Sequence, residues 1–181
     1  FDLDPWVKAE ADADARAHRV EALAACKAAA RLLRERLDAW GLRALVKTSG
    51  KTGLHLFVPI ERRYRFEETR KVARAMAQEM AAAHPDLVTA EWRREKRRGR
   101  ILVDHMQNVR AKTLPAPWSL RANEAATVSM PLRWEDLEAA DSYDFTLPVV
   151  PDLLRQRGDP WADLLDQRGD LEKVRAALGV A

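Results

Sequence analysis

Apolar and acidic positions alternate over residues 1–4, where Phe1 and Leu3 frame Asp2 and Asp4, the mark of a short strand with two unlike faces. From about residue 6 to residue 40 the period becomes helical. Leu23, Cys26, Ala30, Leu33, Leu37 and Trp40 recur at steps of three and four with Arg and Glu between them, and Gly41 gives the stop signal. Residues 42–47 and 54–59 are apolar-rich and are joined by a stretch bearing Gly50 and Gly53, which predicts a β-hairpin with an elaborated turn. A second amphipathic helix is predicted over residues 66–83, with Phe66, Val72, Ala73, Met76 and Met80 facing inward. Residues 100–104 read as a strand whose apolar run ends on Asp104. The Pro-punctuated stretch after it predicts only short strands near 118–121 and 127–130, then short helices over 134–138, 151–157 and 171–178. The predicted fold class is α+β, with helices flanking one central antiparallel or mixed sheet.

Hydrophobic residues make up 47% of the 181, enough for one core of ordinary domain size. The 31 basic and 28 acidic residues give a formal charge of +3, which names no partner. Distribution says more. Residues 91–100 hold Arg93, Arg94, Lys96, Arg97, Arg98 and Arg100 against two glutamates, a block suited to attracting phosphates or to lying solvated on the surface. The single Cys26 excludes an intramolecular disulfide and fits a reducing compartment; on the apolar side of the first helix it reads as core. No apolar run approaches the ~20 residues that span a bilayer, so the expected location is cytoplasmic, with no membrane partner. The opening on Phe1, without Met, reads as a start within something longer.

Candidate chemistry lies in three places. Asp2 and Asp4, two apart on a strand, project from one face, and a divalent ion such as Mg²⁺ or Mn²⁺ would relieve their repulsion; two solvated acids are the alternative. Lys47 through His55 combines two glycines, small hydroxyls and lysines in a tight turn, material for wrapping a phosphate or for a plain hairpin turn followed by a strand histidine. It is not a P-loop, because Leu45 stands where a glycine is required and a strand follows where a helix should. Asp104, with Asn108 and Arg121 beyond it, either joins a metal site or caps the next turn.

The order D-x-D, then S-x-x-x-G-x-H, then an apolar strand ending in Asp resembles the archaeo-eukaryotic primase superfamily, and within it the polymerase domain of bacterial ATP-dependent DNA ligase D. The resemblance runs through Phe1 to Pro5, Lys47 to Gly50, Gly53 to His55, Lys96-Arg97, Gly99 to Ile101, Asp104 with Asn108, Ser119 to Arg121, Pro131 to Trp134 and Gly158 to Trp161. It implies a primase-polymerase catalytic core over residues 1–165 and a helical tail over 166–181. It also implies that Asp2, Asp4 and Asp104 hold two divalent ions, Mn²⁺ or Mg²⁺, and that Ser49, Lys51, Gly53, His55, Arg97 and Arg121 lie at the nucleotide. The implied activity is template-dependent addition of a nucleoside triphosphate to a primer 3′-hydroxyl at DNA ends in nonhomologous end joining. The implied partners are a ligase domain and the Ku end-binding protein. The chain departs from the pattern at Lys51-Thr52, where the family has lysine directly before the second glycine, and at His105, where an aromatic is usual. Family members also carry a lobe ahead of the D-x-D strand, so weakened extension, or a non-catalytic nucleic-acid-binding remnant, is the competing expectation. Haloacid-dehalogenase-like phosphatases share a strand running into D-x-D, but continue with Gly-Thr where Pro5-Trp6 stands here.

Overall fold

The computed structural model describes residues 1–6 and 15–180. The start of the predicted first helix, residues 7–14, lies outside the described residues. Along the chain the order is β1 (Asp2–Asp4), α1 (Ala15–Ala39), β2 (Leu45–Thr48), β3 (Leu54–Phe57), α2 (Phe66–Ala83), β4 (Val88–Thr89), α3 (Arg94–Arg97), β5 (Ile101–Asp104), β6 (Pro131–Leu132), α4 (Val150–Arg157) and α5 (Glu172–Leu178). The six strands form one mixed sheet in the order β4-β5-β1-β3-β2-β6, antiparallel throughout except for the β4–β5 pair.

Strand alternation divides this sheet into an oily face and a charged one. Leu3, Val46, Leu54, Leu56, Ile101 and Val103 form a single apolar cluster with Leu23, Cys26, Ala30, Leu33 and Leu37 of α1 and Val72, Met76 and Met80 of α2. The alternate positions, Asp2, Asp4, Lys47, His55 and Asp104, stay out of that cluster. The helical periods predicted both inward faces except at Phe66, which is 56% exposed because it opens α2 ahead of the buried stretch beginning at Val72. Glu68 closes the first turn of α2 by accepting from the Arg65 backbone N–H at 2.9 Å.

The later part of the chain is stitched across the sheet ends. Trp161 is buried and meets Phe57 with ring centroids 5.3 Å apart, covering the far end of the charged face. Gly169 bridges to Ile60, and the α5 residue Val174 enters the main cluster together with neighbouring Leu171. The predicted strands near 118–121 and 127–130 reduce to single bridges, Leu120 to Val128 and Thr127 to Thr146, while two-residue strands β4 and β6 were not expected. No helix among the described residues is long and apolar enough to cross a membrane.

Candidate active site

Four charged or polar side chains form a row across the sheet, one per strand. Asp2 on β1 pairs directly with Asp104 on β5 and with His55 on β3, and His55 pairs with Lys47 on β2. Cross-strand partners project to the same side with Cβ atoms about 4.5–5.5 Å apart, so Asp104, Asp2, His55 and Lys47 share one face. Asp4, two residues after Asp2, joins them. Strand spacing predicts the first pair of acids together, the family resemblance adds Asp104, and the register sets Asp104 beside Asp2.

Each acid has protein partners. Asp4 accepts from Arg97 Nη1 at 2.8 Å, and Arg97 also donates to the Trp92 carbonyl at 3.0 Å from a position only 7% exposed. Asp104 accepts from the Met106 backbone N–H at 2.6 Å and from Gln107 Nε2 at 3.1 Å, so it does cap the following turn while lying in the row. Asp2 Oδ1 lies 3.5 Å from His55 Nε2. Burial first, and then the nearby charges of Asp4 and Asp104, push the Asp2 carboxyl up to about 6. Burial, reinforced by Lys47, pushes His55 down to about 3. His55 is therefore neutral near pH 7 and its contact with Asp2 is not an ion pair. His55 Nδ1 is buried without a hydrogen-bond partner, an orphan that a bound ligand would satisfy.

A divalent ion suits this donor set, because hard carboxylate oxygens would bind it and a cation would remove the repulsion that Asp4 and Asp104 add to the burial of Asp2. As the side chains stand, no three His, Cys, Asp or Glu among the described residues form a ready metal cluster. Arg97 pairs with Asp4, and the Met106 backbone N–H and the Gln107 side-chain amide both donate to Asp104. Arg97 engages Oδ2 of Asp4, which leaves Oδ1 for an ion.

The β2–β3 turn is built for close approach. Ser49 Oγ accepts from the backbone N–H groups of Lys51 and Gly53, each at 3.1 Å, which folds the turn and leaves its hydroxyl hydrogen free to donate. Gly53 is demanded by the sheet: a Cβ there would sit 2.5 Å from the Leu3 carbonyl oxygen. Gly50 has φ +73° and lies under Arg121, whose Cγ a Cβ would meet at 2.4 Å. Lys51 is exposed on the turn. Thr127 and Asn123 both donate to the Gly50 carbonyl, tying the turn to the segment that carries Arg121. Arg121 is close enough to Lys47 and His55 to depress both, and its own Nε is buried and unpartnered. The sequence places Lys47 in this phosphate-wrapping stretch without singling it out, and it assigns Asn123, Thr127 and Ser129 no role at the turn.

An apolar cavity of about 290 Å³ opens between α2 and the end of β3, lined by Leu56, Val72, Ala73 and Met76 among others and by no charged residue. It has none of the chemistry of the row.

A family model described as the LigD primase-polymerase domain matches residues 1–161. The multifunctional nonhomologous end-joining protein LigD of Pseudomonas aeruginosa is 37% identical over 145 residues, 78% of this chain and 17% of that protein. The bifunctional LigD of Bacillus subtilis is 32% identical over 137 residues, 75% of this chain and 22% of its own length. The chain thus spans about a fifth of these relatives. The polymerase domain of Mycobacterium tuberculosis ligase D, solved in complex with DNA, superposes with a TM-score of 0.75 at 31% identity, over 93% of this chain and 54% of that one. With the family model covering most of its length, this chain belongs to the LigD primase-polymerase domain family.

Proposed function

We propose that this chain performs metal-dependent nucleotidyl transfer, adding a nucleoside triphosphate to the 3′-hydroxyl of a DNA end. The observation that carries this reading is the register that sets Asp104, Asp2 and His55 side by side on three adjacent strands. Asp2, Asp4 and Asp104 would hold Mn²⁺ or Mg²⁺. Bound there, the ions would activate the primer hydroxyl and neutralise charge on the triphosphate and its leaving pyrophosphate. The protein's own part is placement and charge. Ser49 offers a hydroxyl hydrogen to a phosphate oxygen from a turn held rigid by its own oxygen. His55, neutral and with Nδ1 unpaired, supplies a second hydrogen bond without adding charge. Arg121 brings a permanent cation to the same turn. Lys51, exposed and displaced by one position from the family pattern, would contribute at most a loose contact, and Arg97 would meet the nucleotide only on leaving Asp4.

DNA is the proposed polymeric partner, in keeping with the solved relative's complex and the exposed basic stretch around α3. A ligase domain and the Ku protein are the proposed companions in end joining. A metal-dependent incorporation assay tests the reading. Labelled nucleotide should appear on a primed end with Mn²⁺ and vanish in Asp104→Ala. A chain that shifts DNA on a gel and binds neither metal nor triphosphate would instead be the non-catalytic remnant.

A further inference from the structure

The hairpin that carries the turn hides a lysine. Lys47 is 0% exposed, in the middle of β2, directly opposite His55. Its ammonium donates to Ser129 Oγ and, at 3.5 Å, to the Thr48 carbonyl, and Ser129 Oγ itself donates to that carbonyl at 2.8 Å. The Phe57 ring centroid lies 5.8 Å from Nζ. No ion pair among the described residues includes Lys47. The charged or titratable groups facing it are His55 from β3, Arg121 from the segment over Gly50, and Asp2 from β1, and only Asp2 is an acid. Burying an ammonium without a close counter-ion is costly, so stability does not account for this residue. Its place does. Lys47 and Thr48 lead into the turn, and its partner Ser129 lies beneath Gly50, whose missing Cβ would stand 3.3 Å from Ser129 N. Lys47 and Arg121 thus set two cations at one turn, a charge that a polyanion bound there would offset.

We propose that Lys47 is the buried counter-charge of the triphosphate, a positioning residue that acts from beneath the turn through Ser129 rather than by touching phosphate. The inference rests on the nucleotide-binding reading above. In the free protein, burial and then Arg121 hold the ammonium down to about 7. A polyanion above the turn opposes both effects, so at pH 8 its binding draws a proton onto Lys47.

The test is calorimetric titration of the whole chain with ATP, in buffers of differing ionisation enthalpy. Mn²⁺ is present throughout, so that a proton displaced from Asp2 is common to every variant. Wild type should take up close to one more proton at pH 8 than Lys47→Arg, which keeps the charge without titrating. That uptake should shrink at pH 6, where Lys47 already holds its proton. Lys47→Met should bind ATP about tenfold more weakly, the scale of one charge acting over several ångströms of partly screened interior, while His55→Gln should keep the proton uptake. Equal uptake in wild type and Lys47→Arg overturns the proposal, as does uptake that grows toward pH 6, which would belong to His55. If Lys47→Met fails to fold, the wild-type profile at the two pH values decides alone. Wild type that binds no ATP at all removes the nucleotide reading itself, a result distinct from binding without proton transfer.

Discussion

Asp4 holds a guanidinium at 2.8 Å where the proposed chemistry asks it to hold a metal ion. Asp2 is raised first by burial and then by the charges of Asp4 and Asp104, so protons and divalent ions compete for the same oxygens. Manganese should therefore raise the thermal midpoint more at pH 7.5 than at pH 5, below the Asp2 value of about 6. Asp2→Asn should abolish that difference, and differential scanning fluorimetry reads both. The sign for the metal-free chain is opposite to that of a salt-bridged acid. Asp2 binds its proton more tightly folded than unfolded, so its contribution to stability falls as pH rises from about 4 to about 6. His55 works the other way, and its depressed value makes stability rise from about pH 3 to its unfolded value near 6.5. Substitution at His55 needs care, since the residue is 2% exposed in a central strand and truncation to Ala would leave a cavity. His55→Gln is the cleaner probe. Weaker triphosphate binding with a nearly unchanged midpoint would mark a ligand contact, whereas a large drop in midpoint with intact binding would mark a core residue.

At the level of elements, the hydrophobic period located both long helices, the β2–β3 hairpin and β5, because each places large apolar groups at a spacing that only one geometry puts on one face. Cys26, Leu33 and Leu37 on α1 were legible for this reason. The pairs β4–β5 and β2–β6 were not, since two-residue strands such as Val88–Thr89 and Pro131–Leu132 carry too few positions to show a period. The candidate site was legible in parts. Asp2 with Asp4 follows from strand geometry, but the Asp2–Asp104 pairing depends on register between segments a hundred residues apart, and the Arg97 contact on Asp4 depends on a four-residue helix, α3, that no pattern announced. Ser49 was legible as a turn residue, though its oxygen folds the turn before it meets any ligand. Two substitutions separate these roles. Leu33→Ala, in the fully buried α1 face, should cost about 2–5 kcal/mol in denaturant unfolding and leave manganese binding to the folded fraction intact. Gly53→Ala should reduce both together, because the added methyl drives β1 away from β3 at the Leu3 carbonyl and moves Asp2 with it.

Across the whole molecule, charge is sorted by region. The net balance is small, yet exposed Arg93, Lys96 and Arg98 gather at the β4 edge of the sheet beside Trp92, which is 59% exposed and is held at its carbonyl by Arg97. If this stretch meets DNA, affinity should fall steeply between low and physiological salt, as released counterions dictate. Fluorescence anisotropy on a labelled end measures the slope, and replacing Arg93 and Lys96 by Gln should flatten it. The chain spans 54% of the solved DNA-bound relative, so these 181 residues by themselves are expected to bind triphosphate with Mn²⁺ better than they extend a primed end. Robust templated extension by the isolated chain would contradict that expectation.

The three residues of β1 sit between β3 and β5, partners that follow it by about fifty and a hundred residues. On a ribosome, this strand leaves the exit tunnel long before either neighbour has been made. Its two acids wait in an unfinished chain until Asp104 emerges, and the sheet closes around them late. Long-range closure of this kind slows folding, so a translation pause once β5 has cleared the tunnel would give the strand time to seat, and haste there would favour a chain whose helices are formed and whose centre is still open.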